Sequence, residues 1–104
     1  MIQLDIYCGL ITKDDTSTIE FNTGLVERLA LKYYPHGHTL ISAQGRWDQG
    51  GVPITEPTTI IRLILDERVA GTENKARQLA GDYKVIALQE SVMIIKTNID
   101  ASFV

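Results

Sequence analysis

Apolar and polar positions alternate almost from the first residue. In Ile2–Ile11, the apolar Ile2, Leu4 and Ile6 alternate with Gln3, Asp5 and Tyr7, the period-two pattern of a strand with one buried face. The run ends in a polar cluster, Thr12–Thr18. Ser17 and Glu20 have the spacing of a capping box, in which a hydroxyl and a carboxylate satisfy the free amides of a helix start. Leu25, Val26, Leu29, Ala30 and Tyr33 then recur at helical spacing and predict an amphipathic helix, which Pro35 and Gly37 stop.

His38–Ala43 reads as a second strand. The following stretch, Gly45–Pro57 (GRWDQGGVPITEP), is rich in Gly and Pro and follows neither period, so a long irregular loop is expected there. Thr58–Leu65 (TTIIRLIL) is nearly continuous in apolar residues, as a central strand buried on both faces would be. Asp66–Gly71 turns the chain. Thr72 is the expected N-cap of a second helix, with Glu73 set against the positive end of its dipole and Ala76, Leu79, Ala80 and Tyr83 as its buried stripe. Val85–Thr97 contains the last strand, centred on SVMIIK, and Asn98–Val104 is a short tail.

The element order β-α-β-β-α-β predicts an α+β, ferredoxin-like fold: a four-stranded antiparallel sheet with two helices on one face. The other face is left uncovered, and its apolar residues call for a second copy of the chain, so a homo-oligomer is expected. The 104 residues fit one domain, 1–104. With 44% hydrophobic and 22% charged residues the chain should fold rather than stay disordered. A net charge of -3, with scattered basic residues, gives no footprint for nucleic acid or an anionic membrane.

Cys8 is the single cysteine, which excludes an internal disulfide and fits a reducing cytoplasm; within its apolar run it reads as a buried structural thiol. The N-terminal MIQLDIYC carries an acid and no basic residue, unlike a signal peptide, and no apolar run reaches membrane-spanning length. A cytoplasmic location is the resulting expectation.

Standard catalytic motifs are missing: no phosphate loop, no dinucleotide fingerprint, no nucleophile elbow and no Cys/His metal spacing. His36 and His38 flank a glycine and read as exposed turn residues rather than metal ligands, so no metal is expected. The informative stretch is Gly45–Pro57, because a connection of that length between adjacent strands is usually functional. It holds the only tryptophan, Trp47, beside Arg46 and Asp48, and it ends at Glu56 before Pro57, Thr58 and Thr59. Trp47 offers a π face to a cation or a purine, Glu56 a partner for an ammonium, and Arg46 a partner for a carboxylate. The structural alternative is that Trp47 anchors the loop to the core while Glu56 pairs with Arg46 or Arg62. Glu90 and Ser91, in Gln89-Glu90-Ser91 ahead of the last strand, are further candidates to face a neighbour's ligand.

Three segments, GRW, ITEPTTIIRLI and LQESVMII, resemble small PII-like proteins and, among them, the phage S-adenosylmethionine lyases. That resemblance spans the whole chain in element order. It implies a homotrimer binding a small adenosine-bearing molecule in clefts between subunits. It also implies that Glu56 and the loop aromatic contact the substrate, with Trp47 standing where the family has a tyrosine. Thr58, Arg46, Glu90 and Ser91 are the further candidates for substrate binding, from their place in the chain rather than from the resemblance. S-adenosylmethionine would be the substrate and no cofactor would be needed. The implied activity is cleavage to methylthioadenosine and homoserine lactone, with an anti-restriction role in the host cytoplasm if the chain is phage-encoded. Two other readings stand beside it: a non-enzymatic PII-like module binding an adenine nucleotide, and a structural oligomer with no ligand.

Overall fold

Alternation in Ile2–Gly9 produces β1, which turns Ile2, Leu4, Ile6 and Cys8 into the core and Gln3, Asp5 and Tyr7 to the opposite face. The computed structural model describes residues 1–104. After β1 come α1 (Ile19–Tyr33), β2 (Thr39–Gln49), β3 (Val52–Leu65), α2 (Thr72–Ile86) and β4 (Met93–Asn98). The strands lie in the order β2-β3-β1-β4, each neighbouring pair antiparallel. Both helices bury their stripes against one face, giving the α+β ferredoxin-like arrangement that the residue pattern predicts.

β3 is central, as its apolarity implies. Ile61, Leu63 and Leu65 join the core on the helix side, while Thr58 and Ile60 are buried on the other face. Val26, Leu29 and Ala30 of α1 meet Ala76, Leu79, Ala80 and Tyr83 of α2 over this sheet. Each fully buried Ile, Leu or Val contributes ~1.5–3 kcal/mol, and the small alanines let helix and sheet approach closely. Tyr33 ends the stripe of α1, partly buried and packed against the core. The chain leaves the helix at Tyr34, which is buried and donates its hydroxyl to the Thr72 carbonyl at 2.5 Å, while Tyr33 donates to Asp82 at 2.5 Å.

Both expected helix starts differ in detail. The Ser17–Glu20 capping box does not form. Asp15 instead accepts from the Ser17 amide at 2.9 Å and caps a short 3₁₀ turn, Thr16–Thr18, that leads into α1. The hydroxyl of Thr18, the N-cap of α1, is engaged elsewhere: it accepts from the Thr12 amide at 2.9 Å and lies 3.1 Å from the Leu10 carbonyl. At α2 the N-cap is Gly71, whose left-handed backbone (φ 84°) suits glycine. Thr72 is the first helical residue, and Glu73 does lie in the first turn. α2 also runs through Val85 and Ile86, so the last strand begins only at Met93.

The largest correction concerns Gly45–Pro57, which is not an irregular loop. β2 and β3 pair without a break from Thr39↔Arg62 to Gln49↔Val52. Gly50 and Gly51, with φ 59° and 85°, close a two-residue turn whose paired left-handed residues match the twist of the strands. The prolines are tolerated because of where their missing N–H groups would point. The Pro57 carbonyl accepts from the Leu10 amide at 3.0 Å, so this residue faces the β1 side and takes no bond from the β2 ladder. Pro53, four residues back, has the same orientation where β3 no longer has a β1 partner. From Gln44 to Thr55 no residue enters the core, and the hairpin stretches the molecule to 42 Å against 27 and 23 Å in the other directions.

Cys8 is fully buried, and burial pushes its thiol up to about 12. A thiol reagent is therefore expected to label the native chain only as fast as it unfolds. Labelling that goes to completion within the mixing time in native buffer would remove Cys8 from the core. No helix is long and apolar enough to cross a membrane.

Candidate functional site

The helix-free face of the sheet is defined by register. Ala43↔Thr58, Gly45↔Glu56 and Trp47↔Ile54 are directly opposed pairs of β2 and β3, and Gly9↔Thr58 is the adjoining pair with β1. Side chains alternate along a strand, so Glu56, Thr58, Trp47, Gly45 and Gly9 share that face, while Arg46 turns to the other. Trp47, 45% exposed, lays its ring edge (Cζ3) 3.5 Å from where a Cβ on Gly45 would sit, directly across from Glu56. The register thus puts Trp47 on the same face as Glu56 and Thr58, with its ring over Gly45, and turns Arg46 to the other face. Glu90 and Ser91 are exposed in the α2–β4 connection.

Glu56 is only 6% exposed. Its carboxylate folds over Gly9: Oε1 lies 2.1 Å from the position a Cβ on Gly9 would take, a place only glycine leaves vacant. Burial raises the Glu56 carboxyl above its ordinary value; the Ile11 amide opposes this, and the Asp14 carboxylate adds to it. Neither arginine pairs with it. Arg62 is held by Asp5 through two bonds of 3.0 Å, across the register pair Asp5↔Arg62, and Arg46 lies on the opposite face. None of the ion pairs in the chain includes Glu56. Trp47, nearly half exposed, does not anchor the hairpin to the core either, so the structural alternative fails for both residues.

The segment beneath Glu56 is held firmly. Buried Asn22 donates to the Leu10 carbonyl at 2.8 Å, and the Thr12 hydroxyl donates to the Ala87 carbonyl at 2.7 Å. Tyr83, fully buried in α2, donates its hydroxyl to the Gly9 carbonyl. Gln89 donates its amide to the carbonyls of Ile11 and Ala87 and brings its Oε1 within 3.2 Å of the same vacant Cβ position. Gly9, Tyr83 and Gln89 were not among the candidates from the sequence. Gly9 carried a signal, because a glycine inside an alternating strand marks close approach of another group. Gln89 adjoins Glu90 and Ser91, and it alone of the three turns toward Glu56.

The chemistry available is that of an acceptor site. One buried carboxylate and one amide oxygen converge on a sheet face flanked by an indole, and no cation of the chain answers them. A recess between α2 and β4, lined by Leu4, Glu73, Ala76, Arg77, Val92, Ile94 and Lys96, lies apart from this cluster.

Fold and site together define a ferredoxin-like α+β protein with a buried acid at the root of a projecting hairpin. The chain belongs to the DUF3574 family, described as proteins of unknown function, whose profile matches residues 3–103. No curated protein matches it. Among solved structures it is similar to a phage SAM lyase in the apo state, with 17% identity and a TM-score of 0.64 over 92% of this chain and 78% of that one. It is also similar to a phage SAM lyase in complex with S-methyl-5′-thioadenosine, with 18% identity and a TM-score of 0.63 over 92% of this chain and 79% of that one. At these identities the likeness is one of fold.

Proposed function

We propose that the chain is an S-adenosylmethionine lyase that works as a homotrimer, with the Glu56 face of each subunit closed by a neighbour. The observation that carries this reading is Glu56: a buried carboxylate with no ion-pair partner in its own chain, on the same sheet face as a half-exposed indole. An unpaired buried charge is costly, and a cationic ligand removes that cost. S-adenosylmethionine brings two cationic centres, an α-ammonium and a sulfonium. The fold likeness to a lyase holding S-methyl-5′-thioadenosine, the thioether this reaction would release, supports the same choice.

In the proposed reaction the substrate's own carboxylate oxygen attacks its Cγ. The C–O bond forms as the C–S bond breaks, and the sulfonium leaves with the electron pair as neutral methylthioadenosine. Homoserine lactone is the other product, and no proton need be moved in that step. The chain supplies no nucleophile and needs no cofactor. It holds the methionyl arm folded, and orientation of this kind supplies up to ~7–11 kcal/mol of a barrier. Glu56 grips the ammonium, and Trp47 presents its π face to the sulfonium or the adenine. Thr58, two residues along β3, shares that face, with its hydroxyl turned toward Gly45. Arg46, Glu90 and Ser91 are off this cluster within one chain and would reach a ligand only from a neighbouring subunit. In an infected host's cytoplasm the activity would deplete the methyl donor on which restriction systems depend.

Incubation with S-adenosylmethionine and chromatography of the products tests the reading, with methylthioadenosine and homoserine lactone expected in equal amounts. Absence of turnover together with saturable ATP binding would overturn it in favour of a non-enzymatic nucleotide module. The charge pattern speaks against that module, since a triphosphate needs several converging cations and the Glu56 face presents acceptors.

A further inference from the structure

The orientation of the Gln89 amide is set by its surroundings. Its Nε2 lies 3.2 Å from the Ile11 carbonyl and 3.3 Å from the Ala87 carbonyl. Carbonyls only accept, so the nitrogen must face them and Oε1 must face away. That oxygen points to the space over Gly9, 3.2 Å from the vacant Cβ position, where Glu56 Oε1 stands at 2.1 Å. Two acceptors from different elements thus converge over a residue with no side chain. One is held by β3, the other by two carbonyls at the end of α2 and the exit of β1.

We infer that Glu56 and Gln89 together form a seat for a primary ammonium group, with Glu56 supplying the charge and Gln89 the second acceptor. The inference rests on the lyase reading, in which that group is the α-ammonium of S-adenosylmethionine. A primary ammonium has three N–H donors and is satisfied only by several acceptors, which one carboxylate folded against backbone does not provide. Gln89 therefore selects for a primary amine over a quaternary one, which could use the charge of Glu56 but not the amide oxygen. Methylthioadenosine has no ammonium and should not sense Gln89 at all.

The experiment compares binding of S-adenosylmethionine and methylthioadenosine by wild type, Gln89→Met and Gln89→Lys. Gln89→Met removes the acceptor without adding charge, and ~10-fold weaker binding of S-adenosylmethionine is expected, with methylthioadenosine unchanged. Gln89→Lys keeps a donor for the Ile11 and Ala87 carbonyls and places a cation in the seat. It should melt within a few degrees of wild type and lose S-adenosylmethionine binding by more than the Met variant does. Equal losses for the two ligands, or no loss for S-adenosylmethionine, would overturn the inference.

Should the wild type bind neither ligand, the lyase reading falls, and the seat is then judged alone. The Gln89 side-chain amide signal is followed by NMR during titration with methylammonium and with tetramethylammonium. A saturable shift with methylammonium only supports the seat. No shift, or the same shift with both, overturns it.

Discussion

Glu56→Gln is expected to lose S-adenosylmethionine turnover and, at neutral pH, to melt higher than the wild type. The loss follows from charge: glutamine keeps the shape and an acceptor but cannot neutralise an ammonium. Removing one member of a desolvated charge pair costs ~2–5 kcal/mol, or roughly 30-fold to several thousand-fold in kcat/KM. The gain follows from linkage. Burial raises the Glu56 carboxyl in the folded chain, so the folded state binds this proton more tightly than the unfolded one. The stability contributed by that proton is complete below the ordinary glutamate value of about 4.3 and is lost as pH rises through the raised folded value.

At neutral pH the ionised wild type carries the penalty and the neutral glutamine does not. A higher melting temperature than wild type is expected at neutral pH, with the difference shrinking toward zero in acid. Melting curves across pH measure it. A variant that melts lower than wild type at neutral pH would show that Glu56 is a structural acid, stabilised within its own chain.

Gly9→Ala is the second large effect. The added Cβ would stand 2.1 Å from Glu56 Oε1 and 3.0 Å from its Cδ, which no real contact permits. The obstructing atoms are the end of a flexible side chain, so the carboxylate swings away while the backbone stays. Alanine also restricts the unfolded chain more than glycine does, which offsets part of the strain by ~0.4–1 kcal/mol. Stability should thus change little. Function should not survive as well, because a displacement on the order of 1 Å at a positioning group costs about 100-fold. Wild-type turnover in a folded Gly9→Ala chain would mean that the carboxylate does not act from above Gly9.

The periodic parts of the chain were legible and the hairpin was not, for a physical reason. Ile2, Leu4 and Ile6, or Leu25, Val26 and Leu29, reveal their element because one side of it is buried. Between Gln44 and Thr55 neither side is buried in this chain, so nothing forces an apolar alternation there. Gly50, Gly51, Pro53 and Pro57 read together as loop residues, and only the structure shows why two prolines fit a strand: Pro57 faces β1 rather than the β2 ladder, and Pro53 has no β1 neighbour. Glu56 and Trp47 stood out by residue type. Gln89 did not, and Gly9, a glycine inside an alternating strand, marked a close approach without saying of what, because what joins them is the β1–β3 register and the path of the chain after α2, both long-range facts. The capping box at Ser17 illustrates the same limit: a local motif gave way once the Thr18 hydroxyl found bonding partners at Leu10 and Thr12.

The 42 Å reach of the molecule has an evolutionary corollary. Because the outer rungs of the β2–β3 ladder contribute nothing to the core, their residues can drift without a toll on folding. Lineages sharing this body are free to carry fingers of different length and chemistry, so that ligand choice diversifies while the scaffold stays put.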